Sequence, residues 1–435
     1  MKKTSERKRY ADARRRRNAD VSLMTLCVML FQATAMGLLA FKTSPIDVQA
    51  IAFAVALPLA TRLLTRLLPR HLGADKVLLN LTLFLCSVSL VTLKAIAKSP
   101  VTPRNQALYM ACGLVAMVAG MLFVRLVRRP ERWAIPLMAL SVVFLALPIA
   151  VGSWKGGAKN WIWIRQDSIS LQPSEFVKVS LMVVLSACLS RRSSRKRVVA
   201  TLAFAALLCG ILLYERDLGA LLLYFLTTVI VFFLATSNLP LTLAALGAGA
   251  GGSVAAYYMF DYVKKRIAGW QNPWADPYDG GLQIIQSLIA IASGGTFGRG
   301  LGLGLPRNIP LYHSDFIFAA ICEEFGCLFA VGLLAVYVLI VLRGISIAMN
   351  AHQGFHSLLA FAIVSMLGLQ TLLIVGGNIR LIPLTGVTLP FIASGGSSLL
   401  SYMGAMGLLM GVYSVNEARE AQERARDEWL EVASE

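Results

Sequence analysis

Apolar residues in this 435-residue chain form blocks of about twenty, and this pattern constrains the fold more than any other feature. A helix of about twenty residues is what a hydrocarbon layer of about 30 Å requires. We therefore predict an all-α, polytopic membrane protein with about twelve transmembrane helices. The break between the seventh and eighth helices depends on the polar sequence YERDLG alone. The twelve spans are placed at 21–41, 48–67, 77–97, 106–127, 133–151, 175–190, 198–214, 217–236, 240–260, 315–341, 356–377 and 396–414.

The composition agrees with this fold class. Hydrophobic residues make up 57% of the chain and charged residues 15%, and the mean hydropathy is +0.67. The seven cysteines lie inside or at the edge of apolar blocks, so we expect no disulfide framework. The four histidines are scattered along the chain and do not suggest a metal cluster.

The N-terminal segment 1–20 is strongly basic, with nine Lys or Arg residues before the first predicted span. It lacks the small-residue cleavage site of a signal peptide, so we predict a retained cytoplasmic tail. An even number of spans would return the charged tail 416–435 to the same side. Basic residues also cluster in the short loops of that side, as in RRSSRKR at 191–197. Anionic lipid headgroups thus account for the net charge of +18, and we predict no nucleic-acid partner.

Three longer loops, 152–174, 261–314 and 378–395, fall on the opposite, outer side, where a site is expected. The sequence DYVKKRIAGW in the second loop breaks the positive-inside rule. It indicates either a slip in the topology or a binding site for an anionic ligand. The glycine-rich stretch that follows lacks the Gly-Lys-Ser/Thr ending of a nucleotide-binding loop, so we expect a closely packed loop or a mobile lid.

Polar residues within predicted spans are the informative ones, because burying a charge in a membrane is costly. Glu175 and Lys178 are three residues apart on one helical face, which favours an internal ion pair. In the alternative interpretation, Lys178 points into a central cavity as a site for phosphate. Asp217 precedes another span, where helix capping alone would explain a carboxylate.

Three carboxylates occur in and beside an apolar run in YHSDFIFAAICEEFG. Asp315 stands at the outer end of the tenth span, where it is either a helix cap or a catalytic carboxylate facing a substrate with a lipid tail. Glu323 and Glu324 lie about two turns deeper and on different faces of the helix. We therefore expect at least one of them to hold helices together.

Taken together, these segments resemble the SEDS family (shape, elongation, division and sporulation), which contains RodA and FtsW. The resemblance covers roughly residues 77–415. Two departures stand out, namely Ser314 in place of the usual Thr and two additional helices before the usual ten. The segments that carry the resemblance are GGAKNWIWI, QPSEFVK, DLGA, GLQIIQSLIAIASGGTFGRGLG, IPLYHSDFIFAAICEEFG and NIRLIPLTGVTLPFIASGGSS.

The resemblance implies a peptidoglycan glycosyltransferase that polymerises lipid II at the outer face of the bacterial cytoplasmic membrane, together with a class B penicillin-binding transpeptidase. It implies a SEDS-like catalytic domain over 77–415, after the basic tail 1–20 and the additional helices in 21–76. Two alternatives stay open. The chain could be a lipid II flippase or a non-catalytic scaffold that recruits the transpeptidase.

The resemblance also assigns roles to residues. Asp315 is the expected catalytic carboxylate, acting as the base for the acceptor hydroxyl or holding a divalent cation, Mg²⁺ or Mn²⁺, at the diphosphate. No organic cofactor is expected. Positive charge near the departing diphosphate is expected from Lys178 and Arg266, with Arg307 as a third candidate. The full set of expected substrate-binding residues is Trp161, Glu175, Lys178, Arg266, Arg307 and His313.

Overall fold

A computed structural model of the chain describes residues 2–42, 45–97, 99, 101–127, 129–155, 158–165, 169–190 and 195–433. Parts of the charged segments predicted at 1–20, 191–197 and 416–435, namely residues 1, 191–194 and 434–435, lie outside the described residues, as do two glycines of GGAKNWIWI. The helices are α1 (Lys2–Lys42), α2 (Val48–Leu72), α3 (Lys76–Ile96), α4 (Val101–Leu126), α5 (Glu131–Val151), α6 (Pro173–Leu189), α7 (Arg195–Tyr214), α8 (Leu218–Thr236), α9 (Leu239–Met259), α10 (Asp261–Gln271), α11 (Leu282–Gly294), α12 (Ile317–Phe325), α13 (Cys327–Met349), α14 (Gly354–Asn378) and α15 (Gly396–Ala433).

The all-α, polytopic fold class is confirmed. Within the described residues, eleven segments are helical, long and apolar enough to cross a membrane, and each coincides with a predicted span. The remaining predicted span, 175–190, is α6, a helix of 17 residues. At about 25 Å it is shorter than the hydrocarbon layer. Most of its side chains are buried, because α5, α8, α14 and α15 pack around it.

The span predicted at 315–341 is present, but its helix breaks at Gly326 into α12 and α13. Gly326 has φ +87°, and a Cβ there would lie 2.4 Å from the carbonyl oxygen of Thr296. The loop between α11 and α12 supplies the hydrogen-bond partners that the break requires. Cys327 N–H donates to Gly295 (2.9 Å) and Leu328 N–H to Thr296 (3.2 Å). Apolar patterning alone gave no sign of this break, because its cause is a distant loop.

The segment between α5 and α6 contains a small antiparallel sheet that was not predicted from the sequence. Its strands, in order across the sheet, are β1 (Ser153–Lys155), β2 (Ala158–Arg165) and β3 (Ile169–Leu171). Ser153 is opposite Trp161, and Trp163 is opposite Ser170. The sheet lies between α5 and α6 in the chain and brings β2 against the start of α8, where Lys159 N–H donates to the Glu215 carbonyl (3.0 Å).

Two faces of the bundle can be distinguished by their contacts. On one face, called the terminal face, the end of α13 contacts α15, since Asn416 Nδ2 donates to the Ile347 carbonyl (3.2 Å). Asp75 also pairs there with Arg343. The opposite face, called the loop face, carries the described residues of 152–172 together with the segments 260–316 and 379–395. The division of the chain into a helix pair, a ten-helix domain and two tails stays a prediction.

Candidate active site

Asp315 and Arg266 converge on the loop face. Gly386, in the segment between α14 and α15, separates them. A Cβ built on Gly386 would lie 4.0 Å from Asp315 Oδ2 and 3.9 Å from an Arg266 terminal nitrogen. The structure thus brings the expected catalytic carboxylate and one expected cationic residue to the same small region.

The turn that presents Asp315 is fixed through its backbone. The N-cap of α12 is Phe316, so Asp315 is not the helix cap. Asn378, fully buried at the end of α14, donates from Nδ2 to the Asp315 carbonyl (2.8 Å) and accepts from Ala319 N–H (3.3 Å). These two bonds hold the turn before α12, while the Asp315 side chain stays half-buried.

Arg266 comes from α10, the helix that contains the KKR exception to the positive-inside rule. Its Nη1 donates to the Thr385 carbonyl (3.4 Å), next to Gly386. Lys264 instead makes an exposed pair with Asp261 (3.2 Å). Of these two basic residues, therefore, Arg266 is the one directed toward the segment beside Asp315.

Tyr262 lies one turn before Arg266 on the same helix. Among the described residues its buried hydroxyl has no hydrogen-bond partner, and the Arg216 guanidinium lies 5.6 Å from its ring centroid. Burial raises the pKa of Tyr262, although the charges of Arg266 and Arg216 partly oppose this rise. The Tyr262 hydroxyl therefore remains a neutral donor beside the site.

Glu175 and Lys178 form a second, buried polar centre at the start of α6. Their charged atoms are 2.7 Å apart. Lys178 also donates to Gln370 Oε1 (2.9 Å) and lies over the ring of Tyr402 (4.6 Å). Of the two interpretations of this pair, the structure contains the internal ion pair. A substrate-binding role for either residue stays a prediction.

Asp217 joins three elements at the loop face. Its Oδ1 caps α8 by accepting from Ala220 N–H (3.1 Å), as capping predicts. Its Oδ2 accepts from Asn160 of β2 (2.7 Å), from Gln172 (3.1 Å) and from Ser174 (3.3 Å). The carboxylate thereby fixes the sheet and the starts of α6 and α8 relative to one another.

Glu215, two residues earlier, is buried, and its Oε1 has no hydrogen-bond partner in the described part of the chain. Burial, followed by the neighbouring charge of Asp217, raises the pKa of Glu215 to about 8. The carboxyl group therefore carries a proton at neutral pH.

The remaining expected residues have different surroundings. Trp161 is half-buried in β2, adjacent to Asn160. His313 lies edge-on to Tyr312 (5.2 Å between ring centroids), and its carbonyl accepts from Ser394 N–H (2.8 Å). Arg307 donates to the carbonyls of Ile96 (3.1 Å) and Ala97 (3.0 Å), so its guanidinium caps the end of α3.

The profile of a protein family described as cell cycle protein, named after FtsW, RodA and SpoVE, matches residues 73–418. The chain belongs to this family. The RodA peptidoglycan glycosyltransferase of Mycobacterium tuberculosis is 37% identical over 317 residues, which are 68% of this chain and 67% of that protein. A probable FtsW peptidoglycan glycosyltransferase of Geobacter metallireducens is 32% identical over 320 residues, 71% of this chain and 84% of that protein.

Solved structures of the FtsW and RodA family have the same fold. The rod shape determining protein RodA of Thermus thermophilus superposes with a TM-score of 0.59 at 27% identity. A chain from a peptidoglycan synthase complex, described for its coordination of polymerization and crosslinking, superposes with a TM-score of 0.66 at 27% identity. Each comparison covers 79% of this chain and 98% of the other.

In this member of the FtsW and RodA family, the segment between α14 and α15 connects the two polar centres. The Thr385 carbonyl accepts a hydrogen bond from Arg266, and the Thr388 carbonyl accepts one from Gln370 (2.6 Å). Gln370 in turn accepts a hydrogen bond from Lys178. Gln370 and Asn378 were not predicted from the sequence as site residues. Both are amide side chains in α14, whose other residues are mostly apolar, and that contrast was the available signal.

A divalent cation would have Asp315 as its protein ligand. Among the described residues, no three His, Cys, Asp or Glu side chains come together as a metal site. Mg²⁺ is commonly held by one or two carboxylates together with substrate phosphates, so a single carboxylate beside a diphosphate fits such an ion. When bound, the ion would neutralise diphosphate charge.

Proposed function

We propose that this chain polymerises lipid II into glycan strands at the outer face of the bacterial cytoplasmic membrane, as a peptidoglycan glycosyltransferase. The observation that carries the proposal is the convergence of Asp315 and Arg266 at Gly386, a carboxylate and a cation on the loop face of a membrane-embedded bundle. The basic N-terminal tail supports a cytoplasmic terminal face, which makes the loop face the outer one.

The reaction requires one base and one site of positive charge. Asp315 accepts the proton from the 4-hydroxyl of the acceptor GlcNAc as that oxygen bonds to the anomeric carbon of the donor. The bond from this carbon to the diphosphate oxygen breaks, and the lipid diphosphate leaves with the electron pair. Arg266 neutralises the charge that develops on it.

The other expected residues act around this centre. Trp161 and His313 shape the sugar-binding surface, whereas Glu175 and Lys178 support the site from beneath through Gln370. Arg307 would need to exchange its contacts with α3 for contacts with the substrate. A class B penicillin-binding transpeptidase is the proposed protein partner. A chain with this fold occurs in a peptidoglycan synthase complex that coordinates polymerization and crosslinking, and this supports the choice of partner.

The decisive experiment gives purified protein and its partner transpeptidase lipid II, and follows glycan chains by gel electrophoresis. Asp315→Ala should abolish polymerisation, because the base is lost, while folding and lipid II binding persist. Asp279→Ala is the matched control, because Asp279 is an exposed aspartate of the same outer loop. Normal polymerisation by Asp315→Ala would refute the assignment.

The wild-type protein and the Asp315→Ala variant also distinguish the two alternatives, a lipid II flippase and a non-catalytic scaffold. A flippase would accelerate lipid II translocation in liposomes while the wild-type protein makes no glycan. A scaffold would show no effect of Asp315→Ala in cells, whereas changes to partner-facing helices would impair growth.

A further inference from the structure

The helix pair α1 and α2 precedes the part of the chain that matches the family profile, residues 73–418. Gln32 of α1 connects the pair to the remainder of the bundle. Its buried Nε2 donates to Thr61 of α2 (2.8 Å) and to Ser87 of α3 (2.7 Å). At the loop face, Asp47 at the start of α2 pairs with Lys94 of α3 (2.7 Å). The helix pair is therefore fixed to α3 at two positions along that helix, Ser87 and Lys94.

Lys42, the last residue of α1, contacts the glycine-rich outer loop. Its ammonium group donates to the carbonyls of Leu301 (3.3 Å) and Gly302. Gly302 has φ +70°, and its N–H donates to a carboxylate oxygen of Glu324 in α12. Lys42 thus binds one side of Gly302 while Glu324 binds the other, which links α1 to α12 through the loop.

The positive charge of Lys42 also compensates a buried negative charge. Glu324 is 2% exposed and lies within electrostatic range of Lys42. A buried carboxylate without a nearby cation is costly. Removal of the Lys42 charge would therefore weaken the Glu324 contact as well as the contacts that Lys42 makes itself.

Further contacts hold the part of the same loop that lies between Gly302 and Asp315. Leu305 N–H donates to Glu323 Oε1 (2.9 Å), and Arg307 is bonded to the end of α3. The chain then passes through Ile309, which is buried, to Asp315. Displacement of the loop at Gly302 would therefore be transmitted to the turn that presents Asp315. In these contacts Glu323 and Glu324 both hold the loop.

We propose that Lys42 is a positioning residue, through which the N-terminal helix pair holds the outer loop 295–308 against α12 and so fixes the place of Asp315. The effect on polymerisation rests on the proposed function, whereas the effect on the loop does not. The helix pair α1 and α2 thereby has a role within this chain.

The first test is hydrogen–deuterium exchange of the full-length protein in nanodiscs, measured on peptides that cover 295–308. Lys42→Met keeps an unbranched side chain but removes the charge and the donors. Loss of a hydrogen bond from a charged group should accelerate exchange by about tenfold or more. Lys42→Arg retains the cation and should restore protection.

Lys94→Met is the matched control, because Lys94 is a lysine of the same face that contacts Asp47 and Gln49. It should leave exchange in 295–308 unchanged, since Gln32 still anchors α1. Unchanged exchange in Lys42→Met would overturn the proposal. An equal rise in Lys94→Met would also overturn it, because the loop would then respond to general loosening of the helix pair.

The second test measures lipid II polymerisation by the same variants. In Lys42→Met, kcat should fall by about five- to tenfold while KM changes by less than about twofold, because a misplaced base slows chemistry more than binding. Faster loop exchange with an unchanged kcat would overturn the positioning role. A wild-type protein that makes no glycan would instead refute the proposed function, and the exchange comparison would still decide whether Lys42 holds the loop.

Discussion

Asp315 and Arg266 come from separate elements, yet they lie at nearly equal distances, 4.0 and 3.9 Å, from the position that a Cβ on Gly386 would occupy. The glycine thus leaves an opening between a carboxylate and a guanidinium. An opening of this kind lets one bound molecule meet a base and a cation together, which glycosyl transfer from a diphosphate requires.

Gly386→Ala should impair polymerisation more than binding. Gly386 has φ +75°, so alanine would cost about 1 kcal/mol in backbone conformation and would also place a methyl group between the two side chains. We expect kcat to fall by about tenfold or more. Gly395→Ala is the control, because a Cβ there would meet Ser398 at 3.9 Å, an ordinary contact. Equal activity of the two variants would contradict this view of Gly386.

Arg266→Gln should lower kcat/KM by about 10²-fold, because the departing diphosphate loses a stabilising charge. Arg266→Lys should recover part of that loss. Lys265→Gln serves as the control, since Lys265 is exposed on the same helix. Steady-state kinetics with lipid II at several concentrations would measure the difference. If both glutamine variants lose activity to the same extent, the whole basic cluster acts through general attraction.

Lys178→Met should destabilise the protein by about 3–5 kcal/mol, because it leaves the Glu175 carboxylate buried without its partner. The double variant Glu175→Gln with Lys178→Met should recover most of this stability. Thermal unfolding in detergent, monitored by fluorescence, gives the comparison. Activity then distinguishes two roles. A double variant that is stable but inactive supports substrate binding by the pair, whereas a stable and active one limits the pair to packing.

Glu215 should make stability depend on pH. Its pKa is raised to about 8 in the folded protein from an ordinary value near 4.5. Between these values the folded state holds a proton that the unfolded state has lost, so the free energy of unfolding falls as pH rises through this window. Glu215→Gln removes the titration. The variant should melt about 2–4 °C above the wild type at pH 8 and close to it at pH 4.5. A constant difference across this range would contradict the assignment.

The sequence was sufficient to predict most helices of the bundle. Membrane spans are specified by long apolar blocks, and these can be recognised without knowledge of tertiary contacts. The sequence was also sufficient to name Asp315 and Arg266, which lie together beside Gly386 and whose roles stay predictions. It was insufficient where distant segments determine local structure. The break at Gly326 depends on the backbone near Thr296, and the position of Asp315 depends on Asn378, 63 residues away. Lys42 gave no signal at all, because a lysine at a helix end is common on any membrane protein.

The break at Gly326 also affects which substitutions the neighbouring loop can accept during evolution. The loop is docked there through main-chain atoms, since Cβ atoms on Gly298 or Gly326 would lie 2.4 Å from the facing backbone. Its exposed side chains, such as Leu303, contribute little to that docking. Substitution of such exposed residues can therefore alter the chemistry of the loop surface without moving the loop, provided that the two glycines, Arg307 and the contact with Lys42 persist. Natural variants should accordingly change partner or substrate preference in this loop while its path along the membrane helix stays the same.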